Sequence, residues 1–241
     1  MKAMILAAGF GTRLGKITEE TPKCLLTAGS KTMLEHTVER LKRAGINEVV
    51  INLHHLASQV EQFVRAKDYF GIKVEFSYEE NILGTGGGIK QAAPFFKGES
   101  SFLVHNADIY TDLCLQELIT YHNARDALAT LVAVPPQTDS CLCVDESGDI
   151  RGLVNSATGM RDLHGNTENS APMTFIGIHM ASTRIFDFLN QEEGAFSFFT
   201  PYLKAIRAGY RLTTFPMTEV YWIDMGTEEK LKELQIRLAA E

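Results

Sequence analysis

Short apolar runs alternate with amphipathic stretches from the first residues onward, and that rhythm decides the fold class. "KAMILAA" is a brief apolar run suited to a buried parallel strand. "TMLEHTVERLKRAG" follows, with Met33, Leu34, Val38 and Leu41 at helical spacing and Gly45 as the stop. "NEVVINL" reads as the next strand, and "LASQVEQFVRA" as a helix through Leu56, Val60, Phe63 and Val64. "IKVEFSYE" alternates Ile72, Val74, Phe76 and Tyr78, a half-buried strand. A short helix over "GGIKQAAPFF", a strand over "SFLVHNADIYTD", a helix over "LCLQELITYHNA" and a strand over "DALATLVAVP" complete the first half. Repeated strand–helix–strand units imply a Rossmann-like α/β fold, a doubly wound, mostly parallel sheet with helices on both faces.

The second half changes character. "CLCVDESGDIRGLV" reads as a hairpin turning at Ser147–Gly148, and "MRDLHGNTENSAP" as a polar loop or flap. "MTFIGIHMA" is a strand, and "FFTPYLKAIRAG" a helix with Gly209 just past its end. "YRLTTFPM" and "EVYWIDMG" are strands, and "TEEKLKELQIRLAAE" is a closing helix capped by Thr227. Neither a linker nor an internal repeat interrupts the 241 residues. The expectation is a single domain over 1–241, with 140–180 forming a small β-rich insertion or flap.

Charge and cysteine usage narrow the function classes. A net charge of −7 argues against nucleic acid or an anionic membrane as partner, so an anionic ligand needs a local site. No apolar run reaches the length of about 18 residues that a membrane span requires. "MKAMILAAG" mimics a signal peptide, but its apolar core is too short. Cys24, Cys114, Cys141 and Cys143 form no CxxC pair and precede no histidine pair at zinc spacing. Reduced thiols in a cytoplasmic protein are the favoured reading; a metal role for Cys141 and Cys143, on one strand face, is the weaker one. The oligomeric state is not legible.

Ligands of a doubly wound sheet bind beyond the C-terminal strand ends. The first such end carries "AAGFGTRLGKITEETPK", Ala7 to Lys23. Gly9 and Gly11 let backbone amides approach a ligand, and Arg13 and Lys23 add full charges, a combination suited to a polyphosphate. It is neither GxGxxG, since position 14 is Leu14, nor the Walker pattern. The plain alternative, a glycine turn with surface charges, does not explain Arg13, Thr21, Pro22 and Lys23 together. "ILGTGGGIK" adds Gly84, Gly86, Gly87 and Gly88, more glycine than one tight turn needs, and a nucleobase lying on peptide planes accounts for them. Asp108 in "HNADIYTD" and Asp224 in "YWIDMGT" end apolar strands. Singly each reads best as a turn or cap aspartate; beside two phosphate-type loops the pair reads as a metal site. A dinucleotide-dependent oxidoreductase would want a third glycine and an acid after the second strand, which ends "INLHH".

These motifs, in this order, resemble the sugar-1-phosphate nucleotidyltransferases, and most of all the short members such as N-acetylmuramate-1-phosphate uridylyltransferases. Guanylyltransferases for heptose or mannose 1-phosphate are the nearest alternative. Lys16, Cys24, Thr27 and Thr32 stand where prolines are usual, and "NAD" replaces Asn-Gly-Asp. A non-catalytic homologue would have lost Arg13, Lys23 or an aspartate, and all are present. The resemblance implies a transferase that joins a nucleoside triphosphate, UTP in preference to GTP, to a sugar 1-phosphate. It implies Mg²⁺ on Asp108 and Asp224, and catalytic roles for Arg13 and Lys23. Ala7, Ala8, Gly9, Gly11, Thr12, Gly84, Thr85, Gly86, Gly87 and Asn106 are expected at the nucleotide. Glu168, Asn169, Gly177 and Trp222 are expected at the sugar, although Trp222 reads equally well as core. His54 and His55 read best as solvated loop residues.

Overall fold

Ala3, Met4 and Ile5 lose all contact with solvent, which a strand achieves only at the centre of a sheet covered on both faces. In the computed structural model, which describes residues 1–217 and 220–239, that strand is β1 (Lys2–Leu6). After the phosphate-type loop come α1 (Ile17–Glu20), β2 (Thr27–Ala28), β3 (Lys31–Thr32) and α2 (Met33–Arg43). Then follow β4 (Glu48–Leu53), α3 (Ala57–Ala66), β5 (Lys73–Tyr78), α4 (Gly84–Gln91) and β6 (Ser101–Asn106). β7 (Ile109–Thr111), α5 (Leu115–Asn123) and β8 (Ala129–Val134) lead into β9 (Ser140–Val144), β10 (Ile150–Asn155) and β11 (Met160–Leu163). β12 (Ala171–Ser182), α6 (Phe186–Leu189), α7 (Phe199–Arg207), β13 (Leu212–Pro216), β14 (Trp222–Asp224) and α8 (Glu228–Ala239) complete the order.

β1 pairs in parallel with β4 and β6, and β4 with β5, so the half of the sheet carrying the glycine loops is wholly parallel. β12 turns the pattern round: it is antiparallel to β6, β8 and β9, and β9 to β11 extend the same sheet by antiparallel pairing. Leu34, Leu41, Val60, Val64 and Leu118 pack one face with Ile51 and Leu103. Ile89, Phe96, Leu189, Tyr202 and Ile206 pack the other with Met4, Phe102 and Val104. Helices therefore cover both faces, as expected of a doubly wound sheet.

The amphipathic pattern and the caps agree where the signal was strong. α2 starts at Thr32, whose hydroxyl accepts from the Glu35 amide at 3.2 Å while Glu35 accepts from the Thr32 amide at 2.8 Å. Such a reciprocal cap contributes about 1 kcal/mol. Three elements depart from the expectation. The stretch "SFLVHNADIYTD" breaks after Asn106, and β7 leaves the main sheet to pair with β14. The polar stretch after residue 159 contains β11, which Gly152 admits: its backbone lies so close that a Cβ there would meet the Asp162 carbonyl at 1.9 Å. The third departure, at residues 84–88, is described with the site. The expectations for Glu219 in the last strand and for Ala240 and Glu241 in the closing helix lie outside the described residues.

Candidate active site

The first loop is built to present amides. Gly11 has φ +69°, and its carbonyl accepts from the Thr18 hydroxyl at 3.0 Å, which ties the loop to α1. Thr12–Leu14 form only one 3-10 turn, so the loop's own amides and Arg13, rather than a long helix dipole, supply the positive potential. The Ala7 amide donates to Asn52 Oδ1 at 2.8 Å. Asn52 Nδ2 in turn donates to Glu79 Oε1 at 2.6 Å, and Glu79 Oε2 accepts from the Leu83 amide at 2.8 Å. Asn52 is 2% and Glu79 4% exposed, so these bonds work away from bulk water. The two glycine segments are thus joined by a buried polar bridge.

Residues 84–88 are not a loop but the first turns of α4. Gly84 has φ +70°, and a Cβ there would come within 2.6 Å of the Phe196 carbonyl oxygen. At Gly86 a Cβ would strike the Phe196 ring at 2.5 Å, and at Gly88 it would meet Glu79 Oε1 at 2.7 Å. These glycines are required by packing against the 194–198 segment and the polar bridge. Gly84 and Thr85 reach the cavity wall, whereas Gly86 and Gly87 lie beneath it.

A cavity of about 320 Å³ opens beyond β1, β4 and β6. Its wall contains Ala7, Ala8, Gly9, Gly11, Thr12 and Arg13, then Lys23, Asn52, Glu79, Asn106 and Asp108. Cys24 also lines it, but burial pushes its thiol up to about 12, which keeps it protonated and a poor nucleophile. Next to it lies a second cavity of about 260 Å³, walled by Gln137, Thr174, Phe175, Gly177, Trp222 and Lys230 among others. Arg13, Asn106 and Asp108 line both. A ligand in each would meet at those three residues.

Charge concentrates at this junction. β14 lies antiparallel to β7 with Asp224 opposite Ile109, and the Met225 amide donates to the Asp108 carbonyl at 2.9 Å. That pairing brings the two aspartates together from distant parts of the sequence. The Lys23 ammonium contacts Asp108 Oδ2 and lies 3.7 Å from Asp224 Oδ1, and Arg13 lies 3.5 Å from Asp224 Oδ2. A small cluster with Leu14, Met33, Tyr110, Ile223, Met225 and Leu234 anchors the strand pair from behind. Asp224 Oδ1 is buried and accepts no hydrogen bond among the described residues. Two hard carboxylates, one with an open oxygen, fit a Mg²⁺ that takes its other ligands from phosphates and water. Among the described residues no group of three or more histidine, cysteine or acidic side chains forms a closed metal cage.

Gly177, with a Cβ position 2.8 Å from Asn106 Nδ2, and Trp222, half-buried, both line the second cavity. Glu168 and Asn169 do not. They lie in a turn just before β12, at the end that pairs with β9, and the six residues of strand from Ala171 to Gly177 alone span roughly 20 Å. His54 and His55 flank the exposed Phe10 ring, bond to the Glu79 and Thr18 carbonyls, and line neither cavity. Asn52, Glu79, Gln137, Gly226 and Lys230 escaped the sequence reading. Asn52, a polar residue inside "VVINL", carried a visible signal; the others did not.

A family model described as nucleotidyl transferase matches residues 2–156. The chain is 34% identical to an N-acetylmuramate alpha-1-phosphate uridylyltransferase of Neisseria meningitidis serogroup B, over 98% of this chain and 97% of that protein. It is 36% identical to a mannose-1-phosphate guanyltransferase of Kluyveromyces lactis, over 55% of this chain but only 37% of that longer protein. The crystal structure of HddC from Yersinia pseudotuberculosis, complexed with GMP-PN, superposes with a TM-score of 0.78 at 24% identity, covering 98% of both chains. That likeness is one of fold.

Proposed function

Since the chain belongs to the nucleotidyl transferase family, we propose that it joins a nucleoside triphosphate to a sugar 1-phosphate, giving a nucleoside-diphosphate sugar and pyrophosphate. The observation that carries this reading is the pair of cavities meeting at Arg13, Asn106 and Asp108. A triphosphate in the first cavity and a sugar phosphate in the second would bring their phosphoryl groups to one charged junction.

An oxygen of the sugar phosphate forms a bond to the α-phosphorus as the bond to the β-phosphate breaks, and the electron pair leaves with pyrophosphate. The attacking oxygen is already ionised, so no general base is needed; the obstacle is repulsion between two polyanions. Arg13 offers a planar fork to the departing pyrophosphate. Lys23 supplies a point charge to the phosphate under attack. The amides of Ala8, Gly9 and Gly11 cradle the triphosphate, and Asn106 orients groups at the junction. Asp108 and Asp224 would hold Mg²⁺, which when bound neutralises and polarises phosphoryl oxygens. The activity is assigned to the cytoplasm, where nucleoside triphosphates are made and the four free thiols stay reduced.

UTP is the favoured nucleotide, because a relative 34% identical over nearly the whole of both chains is a uridylyltransferase, whereas guanyltransferases that match 94% of this chain do so at 28–29% identity over 61% of their own length. One observation favours GTP as the second reading: the Glu79 carboxylate lines the first cavity. A carboxylate accepts hydrogen bonds, and guanine offers it two adjacent N–H donors where uracil offers one. Pyrophosphate release measured across UTP, GTP, CTP, ATP and dTTP against several sugar 1-phosphates tests both. A higher kcat/KM with GTP reverses the ranking, and no release with any pair removes the transferase reading.

A further inference from the structure

The second cavity holds one cation that the catalytic junction does not use. Lys230, in the first turn of α8, lines it together with Trp222, Gln137 and Thr174. The other cations of the junction, Arg13 and Lys23, lie beside Asp224 and Asp108 and are the ones the proposed reaction assigns to the triphosphate. Among the described residues the Lys230 ammonium has no ion-pair partner. Its acidic neighbours Glu229 and Glu228 are one and two positions away, spacings that do not face each other on a helix, and Glu233, three positions on, accepts from the Tyr221 hydroxyl at 3.2 Å instead of pairing with Lys230. The rest of the second cavity's wall, apart from the junction residues, is apolar or neutral. Among the described residues no carboxylate lies within ion-pair distance of this cation, and an anion brought in with the ligand would complete it.

We propose that Lys230 is the anion receptor of the sugar cavity: it binds an oxyanion carried by the sugar 1-phosphate and thereby sets selectivity for that substrate. The inference rests on the nucleotidyltransferase reading. The oxyanion has two possible sources, the 1-phosphate itself or a carboxylate substituent on the sugar ring. Lys230 acts in binding, so its effect falls on the sugar substrate's KM and leaves the nucleotide's KM alone.

The test uses the full chain with Lys230→Met, which keeps a helix-compatible stem and removes the charge, and Lys230→Arg, which restores it. Pyrophosphate release is followed with N-acetylmuramate 1-phosphate, whose 3-O-lactyl ether carries a carboxylate, and with N-acetylglucosamine 1-phosphate, which lacks that substituent. Binding of each sugar phosphate alone is measured by calorimetry. Thermal midpoints of the variants within about 2 °C of the parent exclude misfolding. Lys230→Met should raise the sugar-phosphate KM and Kd by about 10- to 100-fold, the range of one charge-assisted hydrogen bond. The nucleotide KM should stay within about twofold, and Lys230→Arg should recover most of the loss. A loss confined to the N-acetylmuramate substrate assigns the oxyanion to the carboxylate; an equal loss with both assigns it to the 1-phosphate. Unchanged sugar-phosphate KM and Kd with both sugars, or a matching rise in nucleotide KM, overturns the proposal. A parent chain that binds sugar phosphate but releases no pyrophosphate with any pair sinks the transferase reading instead, and the calorimetric comparison still decides Lys230.

Discussion

Replacing Asn52 by Leu keeps the branched shape of the side chain and removes both of its hydrogen bonds. The Ala7 amide loses its acceptor at 2.8 Å, and Glu79 Oε1 loses its donor at 2.6 Å. A neutral hydrogen bond contributes about 1 kcal/mol and one to a carboxylate about 2 kcal/mol, so the variant should lose about 3 kcal/mol. That is a large share of a typical total of about 5–15 kcal/mol. At this chain length it corresponds to a fall of about 6–12 °C in thermal midpoint. Urea unfolding followed by circular dichroism measures the loss directly, and nucleotide KM should rise because the first loop is no longer tied to α4. Glu79→Met alone should also destabilise, since the Asn52 amide and the Leu83 N–H are left without acceptors. The double variant removes the buried carboxylate and its principal donor at once, so its loss should be well below the sum of the two single losses. A drop of less than about 2 °C for Asn52→Leu, or strict additivity in the double variant, would refute the idea that a buried bridge couples the two loops.

Three further outcomes follow from the junction and the core. Asp108→Asn and Asp224→Asn should each cut activity by about 100-fold or more and raise the Mg²⁺ needed for half-maximal rate; the double variant should fall far short of the product, because both disable one site, and unchanged metal titrations in both singles would remove the metal role. Gly226→Ala puts a Cβ 2.8 Å from the Arg13 guanidinium carbon, and since a flexible side-chain tip can yield, stability should hold while kcat falls by about 10- to 100-fold in pyrophosphate-release kinetics. Burial pushes His105 and His122 down to about 4 and His179 to about 3, so below the ordinary value of about 6.5 the unfolded chain takes up protons that the folded chain refuses. Stability contributed by these neutral histidines is complete above about pH 7 and is lost as pH falls from about 6.5 towards 4, by up to about 1.4 kcal/mol per pH unit for each; urea unfolding that is flat from pH 7.5 to 5 would contradict it.

Strong patterning made the alternating strands and helices legible, because α2 buries one face and shows an apolar stripe, while β4 is buried on both faces and shows a continuous apolar run. Arg13, Lys23 and both aspartates were legible because charge after an apolar run is costly without a purpose. The role of the glycines at 84–88 was not, since close packing on Phe196 and a cradle for a base call for the same residue. Gly226 and Lys230 were hidden for a different reason. Each has its place only through β14 docking on β7, and the register of a three-residue strand is a tertiary fact. Glu168 and Asn169 lie outside the second cavity's wall, and hydroxyl-binding residue types in a polar loop say nothing about which end of β12 they occupy.

The strand pair that joins Asp108 to Asp224 also sets an order in time. Apart from Gly226, every residue walling the first cavity lies at or before position 108. The second cavity needs Trp222, Asp224 and Lys230, the second aspartate of the junction among them. A chain emerging from the ribosome therefore carries the residues of the first cavity's wall, Gly226 excepted, before those that complete the second. Until β14 zips onto β7, Asp108 has neither Asp224 beside it nor Trp222 and Lys230 to wall the second cavity.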